Sequence, residues 1–182
     1  MVCLALGAVG LIGAIRCCTL PQWIVWVNER KYMEYQKGLW MWCQKQSTRQ
    51  LECKLHDSMV APSPLDQAFR AMTVISCILC GLSLLILFFG SDFTPCVQNQ
   101  GTKLKLLLVA AVGLLLAGLL VIIPVSWAAH DVTHYYTQQK IGASIYIGWA
   151  AGVLMILAGV LLCCFSRPRS SSSGGTTSNR AL

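Results

Sequence analysis

Few residues in this 182-residue chain combine type and spacing in a way that could do chemistry. His130 and His134 stand four apart, so on a helix they share a face and could hold a metal ion. Without two further ligands nearby they read as solvated side chains, and no metal is expected. Cys77-x-x-Cys80 would suggest thiol redox chemistry in a soluble protein. Here it lies inside an apolar run that carries no charge. No H-E-x-x-H, nucleophile elbow or phosphate-cradling glycine loop occurs, so neither an enzyme nor a cofactor is expected. One pair stands apart. Cys43 and Cys53 are the only cysteines of the polar segment 21–70, and an isolated pair in such a segment reads as a disulfide, which persists on the oxidising side of a membrane.

The elements that must position these residues are set by composition. The chain is 55% hydrophobic and only 12% charged, against about 25% charged residues in ordinary soluble domains. Four apolar runs account for this: 2–20, interrupted only by Arg16, and the uncharged runs 71–89, 106–123 and 141–165. Each approaches or exceeds the about 20 residues that a helix needs to cross a hydrocarbon core. The pattern excludes a disordered chain, a nucleic-acid-binding domain and a multi-domain enzyme. The first run lacks a basic n-region, an A-x-A ending and a lipobox before Cys17, so it reads as a membrane helix rather than a cleaved leader. The predicted fold is an all-α transmembrane four-helix bundle with a small extracellular antiparallel β-sheet. Its segments are transmembrane helix 1 (1–20), a first extracellular loop (21–70), helix 2 (71–89), a cytosolic loop (90–105), helix 3 (106–127), a second extracellular loop (128–140), helix 4 (141–165) and a disordered cytosolic tail (166–182).

Orientation rests on cysteine more than on charge. The net charge is +7, and the 21–70 segment holds Arg30, Lys31, Lys37, Lys45, Arg49, Lys54 and Arg70, so a count of positive charges would put it inside. The disulfide puts it outside, which with four spans leaves both termini cytosolic. Cys3, Cys17, Cys18, Cys77 and Cys80 read as small apolar residues. Cys96, Cys163 and Cys164, just beyond cytosolic helix ends, are either sites of palmitoylation or unmodified thiols. Within the loop, 23–27, 39–43 and 51–56 read as antiparallel strands, with Cys43 and Cys53 locking a hairpin. Ser63-Pro64-Leu65-Asp66 reads as a helix start. The pairs Gly10/Ala14, Gly113/Ala117 and Gly148/Gly152 allow close helix packing in a left-handed bundle. No span carries an acid or a His, which argues against a transporter or a channel through the bundle.

Trp23, then Gly38-Leu39-Trp40, Cys43 and Cys53, followed by Arg70, resembles the W-GLW-C-C signature of the claudin and peripheral-myelin-protein superfamily. Pro124-Val125-Ser126-Trp127 and Gly142-Ala143-Ser144 through Gly148-Trp149 are also similar to claudin segments. The resemblance implies a structural cell-adhesion protein of the plasma membrane, polymerised side by side into tight-junction strands that seal the paracellular space or pass ions selectively. Partners would be further copies of itself, other claudins and the lipid bilayer, with no nucleic acid. The alternative is a claudin-like auxiliary subunit or a myelin-type tetraspan protein that forms no strands.

By the same resemblance, Met59 enters an apolar pocket on a neighbouring subunit, and Tyr135 and Tyr136 line such a pocket. Cation-selective claudins would carry an acid at the places occupied here by Lys54 and Gln46, while Lys45, Arg49 and Lys54 make the hairpin basic. That implies an anion-favouring pore or a barrier without one. Three departures stand out. Fourteen residues separate Trp23 from Gly38, which predicts a short first hairpin. The second loop lacks an N-P-L-V stretch, which weakens the case for contacts to an opposing cell. The end Arg180-Ala181-Leu182 differs from a Tyr-Val PDZ ligand, which argues against a PDZ scaffold.

Overall fold

The computed structural model describes residues 2–28, 33–46, 50–55, 63–90, 100–135 and 139–166, leaving aside the side chains of 46, 100 and 135. Four helices carry the apolar runs: α1 (Val2–Thr19), α2 (Pro64–Gly90), α3 (Gln100–Tyr135) and α4 (Ala143–Ser166). All four are long and apolar enough to cross a membrane. Each packs on its two neighbours in a closed ring, α1 on α2, α2 on α3, α3 on α4 and α4 on α1.

The inward faces are built from small residues, since no hydrophobic drive separates helix from lipid and close approach must supply the attraction. A Cβ at Gly118 of α3 would lie 2.8 Å from the Gly152 carbonyl and 2.7 Å from Ile156 of α4. At Gly10 of α1 it would lie 2.8 Å from Met155. Ala14, Ala110, Ala111, Ala117 and Ala158 join Leu114 and Met155 in the buried bundle core. Ser76 of α2 donates to the Ala117 carbonyl at 2.7 Å, a polar tie between α2 and α3. The large aliphatic residues point the other way: Ile12, Ile78, Leu82, Val112 and Leu157 are exposed on the outer surface, as lipid-facing residues should be.

α3 is the longest element. Its 36 residues span about 54 Å at 1.5 Å per residue, well beyond a hydrocarbon core of about 30 Å. The apolar stretch 106–127 is therefore only its middle. Residues 128–135, read from sequence as loop, continue the helix because Val125, Ala128, Ala129 and Val132 recur on one face and are buried there. Likewise α2 starts at Pro64, where the Ser63 hydroxyl accepts the Asp66 amide at 3.2 Å as an N-cap.

The segment between α1 and α2 forms β1 (Ile24–Asn28), β2 (Met33–Lys37), β3 (Met41–Gln46) and β4 (Glu52–Leu55), and β5 (Gln139–Ile141) precedes α4. The antiparallel sheet has the order β4-β3-β2-β1-β5. β2 and β5 fall outside the strands expected at 23–27, 39–43 and 51–56. β2 carries an apolar-polar alternation, Met33-Glu34-Tyr35-Gln36, that signals it. β5 has three residues and exists only because Ile24–Trp26 offers it an edge.

Small-residue packing predicts a contrast between two helical glycines. Gly118→Ala should destabilise the detergent-solubilised protein, because the Gly152 carbonyl is backbone and cannot give way. Gly81→Ala meets nothing within 4 Å and should stabilise it by up to about 1 kcal/mol through helix propensity. Thermal unfolding of the two variants beside the parent checks the contrast.

Candidate functional site: the sheet and its junction with the helices

The signature residues meet where the chain leaves α1. The carbonyl of Cys17, in the last turn of α1, has no intrahelical donor to expect. The Trp23 indole N–H reaches back to it at 2.8 Å, in a buried position. Trp23 thereby ends the helix and starts the sheet. Its amide donates to the Lys37 carbonyl and its own carbonyl accepts from the Gly142 amide, both at 3.0 Å.

Two glycines make room for this crossing. A Cβ at Gly38 would collide with Pro21 Cα, and one at Gly142 with the Gln22 carbonyl. The four residues Leu20-Pro21-Gln22-Trp23 are thus held between the β2 end and the start of α4. The Ser144 amide also donates a hydrogen bond to the Gln22 carbonyl at 3.1 Å. Around them Cys17, Cys18, Trp23, Leu39, Val125, Ala128, Ala129 and Ile145 form a second buried cluster, distinct from the bundle core.

Arg70 closes the junction from α2. Its Nε donates to the Leu39 carbonyl at 2.7 Å, and its guanidinium lies 5.0 Å from the Trp40 ring centroid. Its Nη2 is buried without a hydrogen-bond partner among the described residues. The Trp40 indole donates to Cys18 Sγ at 3.4 Å. Lys37 pairs with Asp66 at 3.2 Å. That pair is partly exposed and contributes less than about 1 kcal/mol. Beside it lies a half-open cavity of about 200 Å³ whose walls include Trp23, Leu39, Phe69 and Asp131.

At the far side of the sheet Cys43 and Cys53 are bonded to each other. They face one another across the β3–β4 ladder, as the hairpin reading predicts. On the chain-entropy model a loop this short contributes somewhat under about 3 kcal/mol.

The register sorts the charges by face. One face carries Trp26, Tyr35 and Trp42, stacked in series at centroid distances of 5.5 and 5.4 Å. Lys54 lies opposite Trp42 on this face, with Glu52 two residues away opposite Gln44. Lys45 lies on the other face, opposite Glu34 and alongside Cys43. The structure therefore separates Lys45 from Lys54, which the sequence grouped together. Gln46 pairs in register with Met33. Arg49, Met59, Tyr136 and Cys96 lie outside the described residues, and Tyr135 is described only as the end of α3. Cys163 is half-buried and Cys164 exposed near the end of α4, both as free thiols.

This geometry makes the signature an architectural device that docks a sheet onto a bundle. A family model described as PMP-22/EMP/MP20/Claudin matches residues 1–162. The chain belongs to this family. Its relatives include Claudin-4 of Homo sapiens, 40% identical over 178 residues that cover 91% of this chain and 85% of that protein. Claudin-4 of Canis lupus familiaris is 42% identical with the same coverage. Claudin-3 of Homo sapiens is 40% identical over 177 residues, 91% of this chain and 80% of that protein. Four apolar helices and a small antiparallel sheet are the claudin architecture, and Trp23, Gly38, Leu39, Trp40 and Arg70 all lie at the sheet–helix junction of this claudin-family chain.

The two tryptophans of the signature should differ in weight. Trp23→Phe leaves the buried Cys17 carbonyl without its donor and should cost about 1–3 kcal/mol. Trp40→Phe loses a bond to a weak sulfur acceptor at a partly exposed position and keeps an aromatic, if weaker, face under Arg70, and should cost less. Unfolding midpoints of the two variants, measured in one detergent, give the order.

Proposed function

We propose that the chain polymerises side by side, with copies of itself and with other claudins, into tight-junction strands of the plasma membrane. In this reading the sheet is extracellular and both termini are cytosolic. A disulfide inside the loop supports that orientation, since such bonds persist on the oxidising side. The observation that carries the reading is the Cys43–Cys53-locked sheet clasped to a four-helix bundle through Trp23 and Arg70, in a chain about two-fifths identical to Claudin-3 and Claudin-4. Nothing in such an arrangement calls for catalysis, and the protein acts structurally.

The strands close the paracellular space or favour anions through it. Lys54 decides between the two. It stands next to Cys53 on the aromatic face of the sheet, so the disulfide limits its wandering, whereas Lys45 faces the other way across from Glu34. Exposed charges more than about 8 Å from an ion's path are largely screened at physiological salt, so only a residue inside a narrow passage selects.

Expression in cells that lack junction strands, followed by freeze-fracture, tests polymerisation. Strands are expected, and their absence favours an auxiliary or myelin-type protein instead. Met59→Asp should reduce the strands while leaving surface expression intact, because a carboxylate is costly in an apolar pocket. Dilution potentials across an epithelial layer test the charge reading separately: Lys54→Asp should shift permeability toward cations, and an unchanged potential leaves a barrier without a pore.

A further inference from the structure

The half-open cavity beside the Lys37–Asp66 pair, about 200 Å³ in volume, combines apolar walls with carboxylates. Trp23, Leu39, Phe69 and Ala128 stand in its walls, and Asp66 and Asp131 line it as well. From this lining and its level in the fold we propose that the cavity seats the trimethylammonium end of a choline phospholipid headgroup.

The level follows from the two helices that supply the walls. Phe69 of α2 lies two positions before the uncharged run 71–89, and Ala128 of α3 directly follows the apolar stretch 106–127. The cavity therefore lies where two spanning helices leave the hydrocarbon, at the depth of the lipid headgroups. Its volume is below the about 300–1,000 Å³ of pockets for drug-sized ligands. It takes the end of a headgroup and leaves the acyl chains in the bilayer.

Charge selects a cation. Lys37 and Asp66 meet at 3.2 Å, and as a unit they are neutral. Asp131 is partly exposed, and among the described residues it meets no Lys or Arg, only the His130 imidazole at 3.9 Å. A primary ammonium carries three N–H donors that give up water on entry, and Trp23, Leu39, Phe69 and Ala128 return few acceptors. A quaternary ammonium has no such donor to satisfy. Apolar surface with a carboxylate beside it suits that ion, and aromatic side chains are the usual walls of choline sites. The site does not depend on whether the chain forms strands.

Competition between two lipids that differ only at the headgroup nitrogen tests the proposal. The full chain in a maltoside detergent is offered equal amounts of phosphatidylcholine and phosphatidylethanolamine with the same acyl chains, and native mass spectrometry measures the lipid retained. The parent should retain phosphatidylcholine about fivefold over phosphatidylethanolamine, the scale of a cation held against aromatic rings. Excess tetramethylammonium should displace it and excess sodium should not, which separates a headgroup seat from adhesion of the acyl chains. Asp131→Lys should abolish the preference with an unfolding midpoint near that of the parent. Phe69→Leu, which keeps apolar volume without a ring, should reduce the preference severalfold. Equal retention of the two lipids by the parent overturns the proposal, and if tetramethylammonium binds nonetheless the seat belongs to a soluble cation. An unchanged preference in Asp131→Lys overturns it as well.

Discussion

The architecture hangs on one crowded crossing. Between the end of α1 and the start of β1 the backbone passes so close to Gly38 on one side and Gly142 on the other that neither position admits a Cβ. In that space Trp23 satisfies the Cys17 carbonyl at the end of α1 while bonding through its main chain to β2 and to the start of α4. One residue thus joins three elements distant in sequence. A buried carbonyl left without a donor costs about 1–3 kcal/mol, so the indole nitrogen matters as much as the ring area. Arg70 repeats the logic from the opposite side, binding the Leu39 carbonyl and covering Trp40.

This crossing explains how a small sheet survives at the end of a membrane bundle. Five strands of three to six residues bury too little apolar surface to stand alone. The near end of the sheet is held by the junction cluster that Ile24 and Ile141 extend. The far end is held by the Cys43–Cys53 bond. Between them the Trp26–Tyr35–Trp42 stack runs across three strands, and aromatic cross-strand pairs of this kind each add up to about 1 kcal/mol.

The four spans were legible because long apolar runs with at most one charge admit few other structures, and the disulfide because its two cysteines stand alone in a polar segment. The signature residues were legible only through resemblance. No periodicity reveals that the Trp23 indole reaches six residues back along the chain, nor that Gly38 and Gly142, more than a hundred positions apart, flank the same four residues. The helical continuation of α3 through 128–135 was hidden for another reason. Half of its eight residues, His130, Asp131, Thr133 and His134, are charged or polar, although the Val125, Ala128, Ala129 and Val132 repeat was present to be read. β5 carries no local signal at all. Three residues pair only where a neighbouring strand offers an edge.

Register has the last word on charge. A strand alternates its side chains between two faces, so neighbours in sequence part company in space. Lys45 and Lys54, both near the hairpin and both basic, end on opposite sides of the sheet, and each has an acid close by, Glu34 across from Lys45 and Glu52 two residues from Lys54. Among the described residues, Lys45 and Lys54 therefore do not add up to one basic surface. The aromatic face carries Lys54 and Glu52 at its β4 edge, with Gln44 reaching Glu52 at 3.5 Å, and Lys37 opposite Trp42, tied to Asp66 at 3.2 Å. With Lys37 tied to Asp66, selectivity at this face would rest on the position of Lys54 rather than on a field built by many charges. The disulfide, by fixing β4 against β3, is what gives that position a definite place.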